Sequence, residues 1–176
     1  MTNTPNDSSP DHDLAEEADL ELYAARGEKP PRARTYVLRI DDERYRVNAL
    51  SITGRGIADL ANKPSEAYAI EQITRGKPAR TICPDQKVDL TAAGIERFVT
   101  RPGVTFTVDQ EECHAPTPTL SVREVLSDYA KVDPNLTTLV ELRGDEQVKH
   151  PDLNEGLTLR QCERFVVFHN TPTTVS

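Results

Sequence analysis

The 176-residue sequence has no tryptophan, one methionine, three cysteines and aromatic side chains at only 5% of its positions. One large core is poorly provided for by that inventory, which suits two small cores and some unstructured chain. Hydrophobic residues, 36% of the total, never run together for the roughly eighteen positions of a membrane helix, and the N-terminus lacks a basic-then-apolar leader. Positive charge is also short. Lysine and arginine number 21 against 29 acids, a net charge of −8 that argues against a nucleic-acid backbone or an anionic membrane as the main partner. The expected setting is the cytosol. Cys83, Cys113 and Cys162 are odd in number and form no CxxC pair, so free thiols in a reducing compartment are expected in place of a disulfide framework or zinc knuckle. The sequence has no glycine-rich phosphate loop, GxSxG elbow or HExxH. Cys113 and His114 are adjacent and so face opposite sides of a strand, while His150 and His169 have no cysteine or carboxylate at ligand spacing. No catalytic residue, cofactor site or metal site is read here, and the chain is not expected to be an enzyme.

What the sequence does have is a repetition. "PDQKVDLTAAGIERFV" at 84–99 and "PDLNEGLTLRQCERFV" at 151–166 share P-D-x4-L-T-x4-E-R-F-V, eight identities in sixteen positions, 67 residues apart. The segments before them run in parallel. "YVLRIDDERYRV" alternates apolar residues on both sides of an Asp-Asp turn, which predicts a hairpin, and "VTFTV" opens the second copy the same way. "SITGRGIADLANK" predicts a helix capped by Thr53 with Ile57, Leu60 and Ala61 inward. "SVREVLSDYAK" predicts another, with Ser121 and Glu124 as a capping box and Val122, Val125, Leu126 and Tyr129 on one face. "AYAIEQI" and "TLVELRG" supply third strands, and the two "ERFV" segments supply last strands. Phe98 and Phe165 are therefore expected to be buried equivalents. Each unit reads β-β-α-β-β over about seventy residues: a sheet with one helix grasping a single face, its last strand central. That is the β-grasp architecture of ubiquitin.

Residues 1–33 differ. They hold eight acids against three bases, −5 of the −8, with Ser8-Ser9-Pro10 at one end and Pro30-Pro31 at the other. Such a segment is expected to be mostly disordered and dispensable for folding. Within it "DLAEEADLELYAARG" predicts a short helix, capped by Asp13, striped by Leu14, Ala18 and Leu22, and stopped by Gly27; as a docking peptide it would present Leu14, Leu22 and Tyr23.

In order and length, "YVLRIDDERYRV", "ITGRGIADLA" and "PDQKVDLTAAGIERFV" resemble the bacterial multiubiquitin family, whose members carry ubiquitin-like domains in tandem. The resemblance covers 34–102 well and 103–170 more weakly. It implies an α+β chain of two tandem β-grasp domains, 34–102 and 103–170, after the acidic segment and before a flexible tail at 171–176. It also implies a protein modifier or its precursor, with four kinds of partner: a ubiquitin-activating-like enzyme, a ubiquitin-conjugating-like enzyme, a metal-dependent deubiquitinase-like peptidase and target proteins. A role in antiphage defence is part of the same implication, and an unconjugated adaptor is the alternative.

Ubiquitin-type chemistry needs a thin, free C-terminal end, which two glycines usually provide. Here the chain ends without glycine in His169, Asn170, Thr171, Pro172, Thr173, Thr174, Val175 and Ser176, so this region is the expected site of processing or conjugation. Gly103, in "TRPG", is a second and weaker candidate for processing; a tight interdomain turn accounts for it more simply.

Overall fold

A computed structural model of the chain describes residues 14–170. The described residues divide into two compact units whose segments interleave: those up to 52, 72–80 and 87–99 form one, and 53–71, 81–86 and those from 100 onward the other. It is an α+β chain rich in sheet. In order, the elements are β1 (Ala15–Asp19), α1 (Leu20–Arg26), β2 (Ala33–Ile40), β3 (Glu43–Val47), β4 (Ser51–Thr53), α2 (Gly54–Leu60), β5 (Tyr68–Thr74), β6 (Arg80–Ile82), β7 (Lys87–Asp89) and β8 (Ile95–Pro102). There follow β9 (Val104–Val108), β10 (Glu111–Ala115), β11 (Thr119–Ser121), α3 (Val122–Glu124) continued by a π-turn (Val125–Tyr129), β12 (Thr137–Arg143), β13 (Glu146–His150), β14 (Gly156–Thr158) and β15 (Glu163–His169). Among the described residues no helix is long and apolar enough to cross a membrane.

One sheet runs β1-β2-β8-β5-β6, with β3 also on β2; the other runs β10-β9-β15-β12-β13. Both last strands lie inside their sheets, as the apolar "ERFV" segments require. The repeat is visible in the bonding. Ile40 pairs with Phe98 in parallel, and the Asp41 N–H donates to the Phe98 carbonyl at 2.8 Å; Val108 pairs with Phe165, and the Asp109 N–H donates to the Phe165 carbonyl at 2.8 Å. Phe98 and Phe165 are both buried, at 0% and 1% exposure, so the expected equivalence holds.

Local chemistry sets the helices. Thr53 Oγ1 accepts from the Gly56 N–H at 3.1 Å, and Ile57 is buried beside Ala58, while Leu60 and Ala61 are only half-buried. Ser121 and Glu124 form the expected capping box, after which the helix widens so that the Ala130 N–H reaches the Val125 carbonyl at 2.9 Å. Val122, Val125 and Leu126 then enter a core with Val104, Phe106, Val108, Leu139 and Phe165. The Phe106 ring stands edge-on to Phe165 at 6.1 Å and to Tyr129 at 5.2 Å.

The expectation of a mostly disordered N-terminal segment is corrected for residues 14–33, the described part of it. β1 pairs in parallel with β2, from Ala15 opposite Ala33 to Asp19 opposite Val37. The helix starts later than expected, capped by Asp19 and not Asp13, and buries Leu20 and Ala24 while Leu22 stays 48% exposed. Gly27 stops it as expected, in the left-handed conformation. Composition alone underrates such a segment because its acids are not left in water. Glu17 meets Arg46 at 2.8 Å, Asp19 meets Arg44 at 3.0 Å, and Glu21 meets Arg39 at 2.6 Å. The Arg39 hydrogen bond holds the Glu21 carboxyl below its ordinary range. Asp13 and the rest of residues 1–13 lie outside the described residues.

Candidate functional site

The C-terminal end grows out of the central strand. β15 continues to His169, opposite Thr137, and beyond it the Asn170 N–H donates to the Leu136 carbonyl at 2.8 Å while Asn170 Oδ1 accepts from Thr138 Oγ1 at 3.0 Å. Two of the eight expected residues, His169 and Asn170, are therefore exposed yet tied to β12. Thr171, Pro172, Thr173, Thr174, Val175 and Ser176 lie outside the described residues. Leu136 and Phe168 sit at the same end of the sheet, 59% and 51% exposed.

Gly103 occupies a different environment. It is buried between β8 and β9 at φ +109°, its N–H donates to the Ala67 carbonyl at 2.8 Å, and an added Cβ would lie 2.1 Å from the Ala115 carbonyl oxygen. Close backbone approach accounts for the glycine. A peptidase binds its substrate extended, and this peptide is already bonded on both sides: Gln161 Nε2 donates to the Gly103 carbonyl at 2.8 Å.

The histidine reading needs one correction. The sequence offers His150 no carboxylate at ligand spacing, but folding brings two. Its Nδ1 lies 3.1 Å from both Glu155 oxygens, and its Nε2 lies 3.4 Å from Glu141 Oε2. The second contact is near enough for charge attraction but is not aligned as a hydrogen bond, so Nε2 is buried without a partner. Arg143 closes on both oxygens of Glu141, and Arg160 bridges Glu141 at 3.4 Å and Glu163 at 3.1 Å. Burial would push the Glu141 carboxyl up, but the Arg143 bonds, the neighbouring Glu163 carboxyl and the nearby His150 ring bring it down to about 2. Glu163 moves the other way: burial, then the neighbouring Glu141, hold its carboxyl above the ordinary range. The two carboxyls thus titrate as a pair, Glu141 giving up its proton before Glu163. Comparison of the repeats makes part of this legible, since Glu141, Glu155 and Arg160 stand where the first copy has Gln72, Val88 and Ala93. Among the described residues no group of three or more His, Cys, Asp or Glu has the geometry to hold a metal.

His114 and Cys113 do point apart. His114 contacts the Pro102 carbonyl at 2.9 Å, whereas Cys113 packs against the core and burial pushes its thiol up. The other two cysteines overturn the expectation of free thiols: Cys83 and Cys162, both in the second unit, form a disulfide with Cα atoms 5.7 Å apart. Pairing depends on spatial approach within about 7 Å, which neither count nor spacing reveals. The cysteine argument for a reducing compartment falls with it. Closing a loop of 79 residues is worth about 2–4 kcal/mol. Reduction is expected to lower the urea midpoint of the oxidised chain accordingly, with Cys83→Ser insensitive to reductant; equal midpoints would mean the bond does not form.

No curated protein matches this sequence. Residues 36–103 match the family model described as multiubiquitin, from the buried Tyr36 of β2 to the Gly103 turn. Over that span the expected resemblance holds: residues 36–103 are similar to a multiubiquitin domain.

Proposed function

We propose that the chain is a tandem ubiquitin-like modifier, or its precursor, built from two β-grasp domains at 34–102 and 103–170 and acting as a substrate of enzymes. The family match of the first repeat carries the reading. The sheet orders support its extension to the second, because both copies place the last strand inside the sheet in the same register. β15 leads straight to an exposed end at His169 and Asn170, and the sequence runs on for six more residues, 171–176. A peptidase of the metal-dependent deubiquitinase type would trim that end. Activating-like and conjugating-like enzymes would then join the new carboxylate to target proteins, in the setting of antiphage defence that the family resemblance suggests.

The exposed Leu136 and Phe168 favour a second reading, an unconjugated adaptor that binds partners through this end of the sheet. Reconstitution with homologous activating and conjugating enzymes separates the two. Full-length chain and a chain lacking 171–176 are compared with and without the peptidase, and truncation is expected to leave the melting temperature nearly unchanged. A modifier gives adducts from the full-length chain only when the peptidase is present; truncation removes that requirement if the cut lies near residue 170, and abolishes adducts otherwise. Four mixtures without adduct, with partner binding lost in Phe168→Asp, would establish the adaptor.

A further inference from the structure

The edge of β2 is shared by two strands. Tyr36 and Val37 pair with both β1 and β3, whereas Ile40 pairs with both β3 and β8. β8 and β1 therefore lie along the same edge, opposite β3, and β8 meets β2 only at Ile40. The stretch Ala33–Val37 is a notch in the sheet, and β1 fills it. Without β1 the Ala33 N–H would keep Tyr36 Oη, but the other backbone groups facing that edge would lose their partners. The second repeat closes the matching edge differently: Gln161 Oε1 accepts from the Thr105 N–H at 3.0 Å while its Nε2 donates to the Gly103 carbonyl. Gly94, the residue at the Gln161 position of the first repeat, has no side chain to do this.

The strand in the notch is held like a ligand. Four residue pairs join it to β2, and Ala18, Leu20 and Ala24 are buried. Arg39, Arg44 and Arg46 take Glu21, Asp19 and Glu17. Arg75 Nη1 donates to the Ala24 carbonyl at 2.7 Å at the C-terminal end of α1. Its tie to β2 is short and open to solvent, Gly27, Glu28 and Lys29 being exposed, before Pro30-Pro31 and the anchoring bond from Tyr36 Oη to the Pro31 carbonyl at 2.9 Å.

We propose that this notch is an exchangeable docking site for the N-terminal strand and helix, Ala15–Arg26, of a second copy of this chain. Strand addition gives the affinity, and the acidic side chains of the segment against the arginines of the hairpin give the choice of partner. Exchange replaces each contact by the same contact from another copy, so only the hinge and the chain concentration set the balance. The second repeat takes no part, because Gln161 occupies its edge.

Deleting Glu28 and Lys29 from the full chain shortens the hinge and disfavours closure within one copy. Light scattering at about 100 μM is expected to report a dimer, a twofold rise in mass over wild type. Adding Arg44→Glu is expected to return it towards monomer. A folded, monomeric deletion variant overturns the proposal, as does a dimer indifferent to Arg44→Glu. If the deletion variant does not fold by circular dichroism, the wild-type chain is used instead, concentrated in urea near its midpoint and returned to buffer. A dimer fraction rising with concentration and lost when Ala15–Arg26 is deleted supports exchange, and monomer alone at every concentration, or a dimer that survives that deletion, overturns it.

Discussion

A chain carrying Phe165→Ala is expected to lose about 3–5 kcal/mol from the stability of its second unit, the cost of removing a large aromatic from a packed core. The position leaves little room for relaxation. Phe165 is 1% exposed on the central strand, bonded in register to β9 on one side and β12 on the other, with Phe106 edge-on to its ring. Phe98→Ala is expected to act with the same sign and size on the first unit, where Phe98 meets Ile40 in the matching register. Small domains have a stability comparable to that loss. The measurement is urea unfolding followed separately in each unit, by amide spectra of the two variants. If Phe165→Ala lowers the unfolding free energy by less than about 1 kcal/mol, or affects both units equally, the last strand is not the keystone that its position makes it.

The parts of this fold that were legible in the sequence are those fixed by local periodicity. Val104, Phe106 and Val108 alternate because one face of β9 meets a core, and Thr53 and Ser121 cap helices because their hydroxyls reach backbone N–H groups three residues on. The parts that were not legible depend on what the fold brings from afar. Residues 14–26 are acidic and lean, and pairing with β2, burial of Ala18, Leu20 and Ala24 and the arginines of β2 and β3 together make them a strand and a helix. Cys83 and Cys162 are 79 residues apart and adjacent in space. His150 has no partner in its own neighbourhood except Glu155, five residues on, and its other neighbour comes from β12. The candidate conjugation region follows the same division. Its start on β15 could be placed from the "ERFV" repeat, while the bonds that hold His169 and Asn170 to β12 required the register.

The charged cluster of the second repeat yields the other large effect. Glu141→Ala is expected to cost about 1–3 kcal/mol, because the buried His150 loses one of its two carboxylate neighbours and keeps Glu155 alone, while the exposed Arg143 and Arg160 turn to solvent. Glu141→Gln, which restores the neutral amide found at Gln72 in the first repeat, is expected to cost less, since a carboxamide oxygen still accepts from Arg143. Acidity then tests the cause. The Glu141 carboxyl is brought down to about 2 in the folded chain from an ordinary 4.5, so its contribution is complete above pH 4.5 and is lost as the pH falls towards 2. Glu163 has the opposite sign: its raised value gives a contribution present below the ordinary carboxylate range and lost as the pH rises through the folded value. Subtracting Glu141→Gln from wild type across pH 2–7 removes the first of these together with the part of the second that Glu141 causes. The difference in stability is expected to be largest near neutrality and to shrink steadily below pH 4.5. A difference that does not vary with pH would mean that Glu141 acts by shape and hydrogen bonding, and that its charge contributes nothing to the fold.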